Sequence, residues 1–390
     1  MPVSIVGCLA LAVAACSTSS TEARGTFVGA GQPRVDVAMT IPAGHAADAD
    51  RDLYAALTTL RILGPWLGPF PEPALTVTPE PTPWWSSPAA MEPELAVARA
   101  VSRRYWERVI DTRRLPAWFV GGLAEYCARR AVSKIVDEQY LSVYRSRAEG
   151  RYFGGFVPRD LRLPLRVEDE GEPVDRYRAR PQSTDTPAME AKALLALGTL
   201  ERWVGRPAFD EILAEFAHSG GQPALDDFTS LAGRVSGQDL RWFFDQTLKS
   251  TNVIDYGVSA LSSDVQPDGW YRTMITVRRY GDGIFSGAGD PAGGPFEHGR
   301  GVVVGTTFAG GEAIRDAWDG RGEEKTFEYR SRSRAISAEV DPDRVLLLDV
   351  DRSNNGRTLD LEPARTAALR WTARWMIWLE GALLTNVAFI

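Results

Sequence analysis

Histidine is nearly absent from this chain of 390 residues: His45, His218 and His298 are the only three, and they lie in separate regions. No pair of them has the spacing that lets two imidazoles on one element share an ion, so no metal site is expected from them. Cysteine is equally scarce. Cys8, Cys16 and Cys127 cannot build an internal disulfide framework, and Cys127, inside a helical apolar pattern, reads as a packed core thiol. Lysine occurs only at positions 134, 192, 249 and 325, so the cationic side chains are almost all arginine. The formal net charge is −7, an acidic balance that speaks against nucleic acid as the main partner. A chain of this length with 44% hydrophobic residues can nevertheless bury two cores.

Long apolar runs are also lacking. Residues 3–15 form an apolar stretch of signal-peptide length, too short to span a bilayer comfortably. Val13, Ala14, Ala15 and Cys16 follow the small-residue pattern that precedes a lipid-modified cysteine, and a Ser/Thr tether runs from Ser17 to Thr21. The expectation is an exported lipoprotein of a bacterial cell envelope, acylated at Cys16; a start inside a longer protein is the alternative. At the other end, Trp371, Trp375 and Trp378 fall on one helical face flanked by Arg370 and Arg374. Such an amphipathic helix suits a membrane surface or a partner, or docks on the protein's own helices. Arg374, Glu380 and Asn386 argue against a spanning helix.

Between these ends the hydrophobic period changes once. Glu94–Ile110 and Leu115–Tyr144 carry apolar residues at helical spacing, the second interrupted by Gly121 and Gly122, and helices are expected again over Thr186–Phe216 and Leu225–Leu248. From Tyr256 onward short runs rich in β-branched and aromatic residues take over. Tyr271–Tyr280, Gly301–Phe308, Ala313–Trp318, Lys325–Tyr329 and Ala335–Val340 are separated by turn clusters such as Asp282-Gly283 and Asp319-Gly320, the pattern of an antiparallel sandwich. Gly287–Gly301 reads as a mobile Gly/Pro-rich loop, with no helix signal after it to suit a phosphate cradle.

The segment from Ala96 to Arg130 holds an aromatic pair, Tyr105-Trp106, and a second motif of Trp118, Gly122, Leu123, Ala124, Glu125 and Tyr126. At this spacing the segment resembles the core of the gluzincin aminopeptidases, peptidase family M1, whose pattern is HExxH followed by an aromatic pair and a Trp-x-x-Glu-Gly-x-Ala-Glu-Tyr motif. Leu63–Glu80 resembles that family's lead into an edge strand, and Ala188–Phe216 its following helix pair. In the family two histidines one turn apart and a downstream glutamate hold zinc, while a glutamate beside the first histidine activates water. Anchored on the aromatic pair, the histidine positions here are Arg99 and Arg103, the general-base position is Ala100, and the third ligand falls on Gly121 by motif or Gly122 by spacing. The amine-gripping loop is replaced by Pro83 to Ser87, with Met91-Glu92 followed by Pro93, and the region of the oxyanion tyrosine offers Met189 and Glu190 before Lys192.

The resemblance implies an α+β chain: a mainly helical, thermolysin-like domain with a strand remnant over residues 25–250, then an antiparallel β-sandwich over 251–360. Residues 1–24 are the expected leader and tether, and 361–390 the C-terminal amphipathic helix. It implies a degenerate site without metal or cofactor, its vestigial groove marked by Arg99, Ala100, Arg103, Gly121, Glu125 and Tyr126. Arg99 and Arg103, one turn apart, are expected as fixed positive charge on the groove floor. They either pair with buried carboxylates such as Glu125 or hold an anionic group such as a peptide carboxylate. The functional expectation is a non-catalytic envelope protein binding a peptide or protein. The alternative is a zinc metallopeptidase with an unusual metal site or a partner subunit.

Overall fold

The computed structural model describes residues 21–41, 49–79, 92–139, 186–286, 301–352 and 354–359. Among these the architecture is α+β, divided into two compact units. Of the described residues, the first contains those up to 255 together with 281–286 and 343–350; the second contains 256–280, 301–342 and those from 351.

The first unit begins with a small sheet. Strand β1 (Thr21–Phe27) pairs antiparallel with β2 (Val35–Ile41), and β3 (Ala74–Val77) lies parallel to β2 at the sheet edge. In β2 the residues Val35, Val37, Met39 and Ile41 are buried at the period of two expected when one face meets a core. A parallel pair needs a crossover, and α1 (Ala49–Leu67) supplies it. Its buried stripe, Leu53, Ala56, Leu60, Leu63 and Leu67, repeats every three or four residues. The edge strand of the Leu63–Glu80 segment is therefore present, but the segment's first residues are the end of a helix. Strand β1 also starts at Thr21, within the stretch read as leader and tether.

Helices α2 (Glu92–Val109) and α3 (Ala117–Gln139) are joined by a 3-10 turn, Thr112–Arg114, capped by the Asp111 side chain. Helices α4 (Thr186–Val204), α5 (Arg206–Ala217), α6 (Leu225–Ser236) and α7 (Arg241–Thr247) follow. Ala188–Phe216 is a pair of helices, as the resemblance implies. Gly205, at φ 85°, separates α4 from α5, and Gly237, at φ 68°, ends α6 in the left-handed cap that glycine adopts without a Cβ clash. Conversely, Gly121 and Gly122 do not interrupt α3, because they serve as close-packing positions against α4. Helix α3 packs on α2 and α4, with Leu95, Ala98, Ala128, Ala131 and Val132 in one buried cluster. Phe228 joins a second cluster, edge-on to Phe119, Phe216 and Phe244. Among the described residues no helix is long and apolar enough to cross a membrane.

The second unit is antiparallel throughout. One sheet orders β4 (Tyr256–Val265), β5 (Tyr271–Arg279) and β8 (Glu324–Ser331); the other orders β10 (Gly356–Thr358), β9 (Ala335–Val340), β6 (Val302–Phe308) and β7 (Ala313–Trp318). All five expected strands are present. Strands β4 and β10 were not among them, since Tyr256–Val265 carries serines and an aspartate at positions where apolar alternation would otherwise be visible.

Candidate functional site

The residues that the motif aligns with a zinc centre come together as an ion cluster built by α2, α3 and α4. Arg99 and Arg103 are one turn apart on α2, and Glu125 and Arg129 are one turn apart on α3, so each pair presents both members to the same side of its helix. Arg99 Nε donates to Glu125 Oε2 at 2.5 Å, and Arg129 Nε donates to Glu125 Oε1 at 2.7 Å. Glu125 thus spans two guanidiniums, and all three side chains are buried. Arg103 Nη2 donates to Glu190 Oε1 of α4 at 3.2 Å, and this second pair lies nearer the surface, with 24% of the Arg103 side chain exposed.

The place of Glu190 follows from a missing side chain. A Cβ added at Gly121 would lie 2.1 Å from Glu190 Oε1, so the carboxylate rests against bare α3 backbone. Where the motif puts a ligand side chain, α3 supplies nothing and α4 supplies a carboxylate from the opposite side. Burial raises the pKa of Glu190 above its ordinary value; the charge and hydrogen bond of Arg103 and the charge of Arg99 oppose this, and Glu125 adds to it. One residue further, a Cβ on Gly122 would come within 2.5 Å of the Ala193 Cβ, which sets how closely α3 and α4 approach.

This donor set does not fit zinc. The two side chains at the histidine positions are guanidiniums, which stay protonated and have no lone pair to give. Ala100 places a buried methyl group at the general-base position. Among the described residues no group of three histidine, cysteine, aspartate or glutamate side chains is placed to hold a metal ion. His218 lies at the end of α5 with Nδ1 2.6 Å from the Ala214 carbonyl oxygen, and His45 and His298 lie outside the described residues.

The remaining motif residues are packed in the core. Tyr105 and Trp106 are fully buried, packed on Phe70 and Phe216 respectively, and burial raises the Tyr105 hydroxyl pKa. Tyr126 is not a member of the ion cluster. Its ring meets Phe209 edge-on at 5.1 Å and Trp66 at 6.4 Å, and burial raises its pKa well above the ordinary value, with neighbouring Glu201 adding to the shift. Cys127 is buried and pushed up to about 12 by burial, as befits a core thiol. Of the two alternatives given for Arg99, it takes the pairing with a buried carboxylate, Glu125, and is itself buried. Sequence reasoning missed the parts of Arg129 and Glu190. The four-residue spacing of Glu125 and Arg129 was a signal for the first; the second needed the α3–α4 contact. Cys16, the loop Pro83 to Ser87, Met91, Trp371, Trp375 and Trp378 lie outside the described residues.

A second polar feature sits deeper in the helical unit. Lys192 Nζ donates to the Ser250 carbonyl oxygen at 2.8 Å beside a cavity of about 20 Å³ lined by Leu195, Gln246, Asn252, Val253 and Ile254. That is room for about one water molecule. Burial pulls the Lys192 pKa down to about 8, opposed by Asp282.

No protein-family model matches the sequence, and comparison with curated proteins finds no match. In fold the chain is similar to aminopeptidase A of Legionella pneumophila, solved in complex with aspartic acid, with a TM-score of 0.52 and 13% identity over 85% of this chain and 38% of that one. An M1 zinc metallopeptidase of Deinococcus radiodurans, solved bound to a Tyr-Ser-Ala substrate, aligns with a TM-score of 0.40 and 16% identity over 59% of this chain and 52% of that one. The chain spans less than two fifths of the length of the Legionella enzyme, since only 38% of that enzyme is covered. At such identities the likeness is one of fold.

Proposed function

We propose that this protein is a non-catalytic member of the aminopeptidase-like fold, a thermolysin-like helical domain followed by a β-sandwich, that binds a peptide or protein partner. The observation that carries the reading is the Arg99–Glu125–Arg129 triad. Three charged side chains, each at a position where the resemblance would call for metal chemistry or lies beside it, are buried and engaged with one another. Binding is assigned to the same face because Arg103 keeps part of its side chain exposed there, and a guanidinium is suited to a peptide carboxylate. Envelope location, acylation at Cys16 and a lipid-facing or partner-facing Trp371, Trp375 and Trp378 stripe are part of the proposal on sequence pattern alone. Fatty-acid labelling that persists in Cys16→Ala would remove the acylation reading.

The deciding experiment combines metal analysis of purified protein with hydrolysis of aminoacyl amides and short peptides, with and without added zinc. The expected outcome is no stoichiometric metal and no hydrolysis above background. Chelator-sensitive hydrolysis by the wild-type chain would instead support a zinc peptidase using an unusual metal site or a partner subunit.

A further inference from the structure

A groove of about 330 Å³ on the helical unit is lined by Arg61, Ile62 and Trp66 of α1, Arg130 and Lys134 of α3, and Arg206 of α5. Four of the six are cations and none is acidic, in a chain whose acidic residues outnumber its basic ones by 51 to 44. Composition alone therefore does not produce this lining. The volume is at the small end of the range for small-molecule sites.

The wall of the groove is fixed before any ligand arrives. Trp66 Nε1 donates to the Asp210 carbonyl oxygen at 3.1 Å, and the Arg130 guanidinium lies 3.8 Å from the Trp66 ring centroid. Arg130 is held in turn by the Asp210 carboxylate through both terminal nitrogens, with Nη2 to Oδ2 at 2.7 Å. Arg130 is thus neutralised and packed, a positioned wall element. Lys134, one turn beyond it on α3, and Arg206, the first residue of α5, are exposed and engage no carboxylate among the described residues. Two cations from different helices therefore converge on one concavity with their charge available.

We propose that this groove binds a phosphate group. A carboxylate is satisfied by a single arginine fork, as Asp210 is by Arg130. A dianionic phosphoryl group has three terminal oxygens and can take the Arg206 fork and the Lys134 ammonium together, beside the indole wall. Free phosphate and the phosphomonoester headgroup of phosphatidic acid offer the same chemistry. The groove shares no lining residue with the Arg103 and Glu190 cluster, and the proposal stands whether or not the peptide-binding reading holds.

The test uses the full chain with two probes: inorganic pyrophosphate by titration calorimetry, and flotation with phosphatidic acid against phosphatidylcholine vesicles. Saturable pyrophosphate binding supports the site with a free phosphate as ligand. Flotation with the anionic vesicles alone supports it with a headgroup as ligand. In either case Lys134→Glu with Arg206→Glu is expected to weaken binding at least about tenfold, the scale of losing two charge-assisted hydrogen bonds. The same charge change on the β unit, Arg278→Glu with Arg321→Glu, is expected to change it less than about twofold. Near-UV circular dichroism shows whether each variant is folded. Absence of binding to both probes, or equal weakening by the control pair, overturns the proposal.

Discussion

At the scale of single residues, the two carboxylates of the ion cluster are not equivalent. Glu125 accepts from two buried guanidiniums and supplies the one negative charge between them, so Glu125→Gln strands buried positive charge and is expected to cost about 3–5 kcal/mol in urea unfolding. Glu190 differs because burial raises its pKa, which means its charged form is less favoured in the folded chain than in the unfolded one. Its contribution to stability is fully present below the unfolded pKa and is lost as pH rises through the folded one, so at neutral pH the charge carries no net benefit. Glu190→Gln should then change stability by less than about 1 kcal/mol at pH 7, and a loss as large as that of Glu125→Gln would contradict this. Lys192 gives a second pH signature. Its pKa falls from 10.5 to about 8 on folding, so between these values the unfolded chain binds the extra proton and stability rises with pH. The rise from this group amounts to roughly 3 kcal/mol; it should be absent from the pH profile of Lys192→Met and appear in full as the difference between wild type and that variant from pH 7 to pH 10.5. An unchanged slope in that variant would place the titration elsewhere.

At the scale of elements, the approach of α3 to α4 rests on two adjacent glycines with different neighbours. A methyl group at Gly121 meets the end of a flexible side chain, Glu190; a methyl group at Gly122 meets the Cβ of Ala193, which cannot swing away. Gly121→Ala and Gly122→Ala are each expected to destabilise by about 1–3 kcal/mol through overpacking. Adding Glu190→Ala should reverse the first, since the roughly 1 kcal/mol gain in helix propensity then remains, and should leave the second unchanged. Equal rescue of both, measured by thermal unfolding, would show that the two positions share one space. These glycines also show where sequence reading stops. As letters, Gly121-Gly122 read as a helix break, because glycine is a poor helix former and its packing partner sits far along the chain. The positions of α2, α3 and the strands from Tyr271 to Val340 were legible from period alone. Helix α1 was not, because its stripe includes Ala56 and neighbouring polar residues that dilute the pattern. Nor was the partnership of Arg103 with Glu190, which no local spacing encodes.

At the scale of the whole molecule, the order of helices before strands was readable because the hydrophobic period changes near Tyr256, where the second unit begins. The likeness to aminopeptidase A covers 85% of this chain, so the scaffold extends well past the motif that suggested it. A scaffold of this kind that relied on zinc would gain stability from the ion. A site occupied at 100 times its Kd adds about 2.7 kcal/mol, enough to move the melting temperature by several degrees. Here the space between α2, α3 and α4 is filled by Arg99, Arg103, Glu125, Arg129 and Glu190, whose mutual hydrogen bonds need no ion to close them. The melting temperature of the full chain should therefore agree within about 1 °C in chelator and in excess zinc, because a ligand that binds neither state shifts no equilibrium. A zinc-dependent rise of several degrees in the wild-type chain would mean that metal, and not the ion cluster, completes this fold.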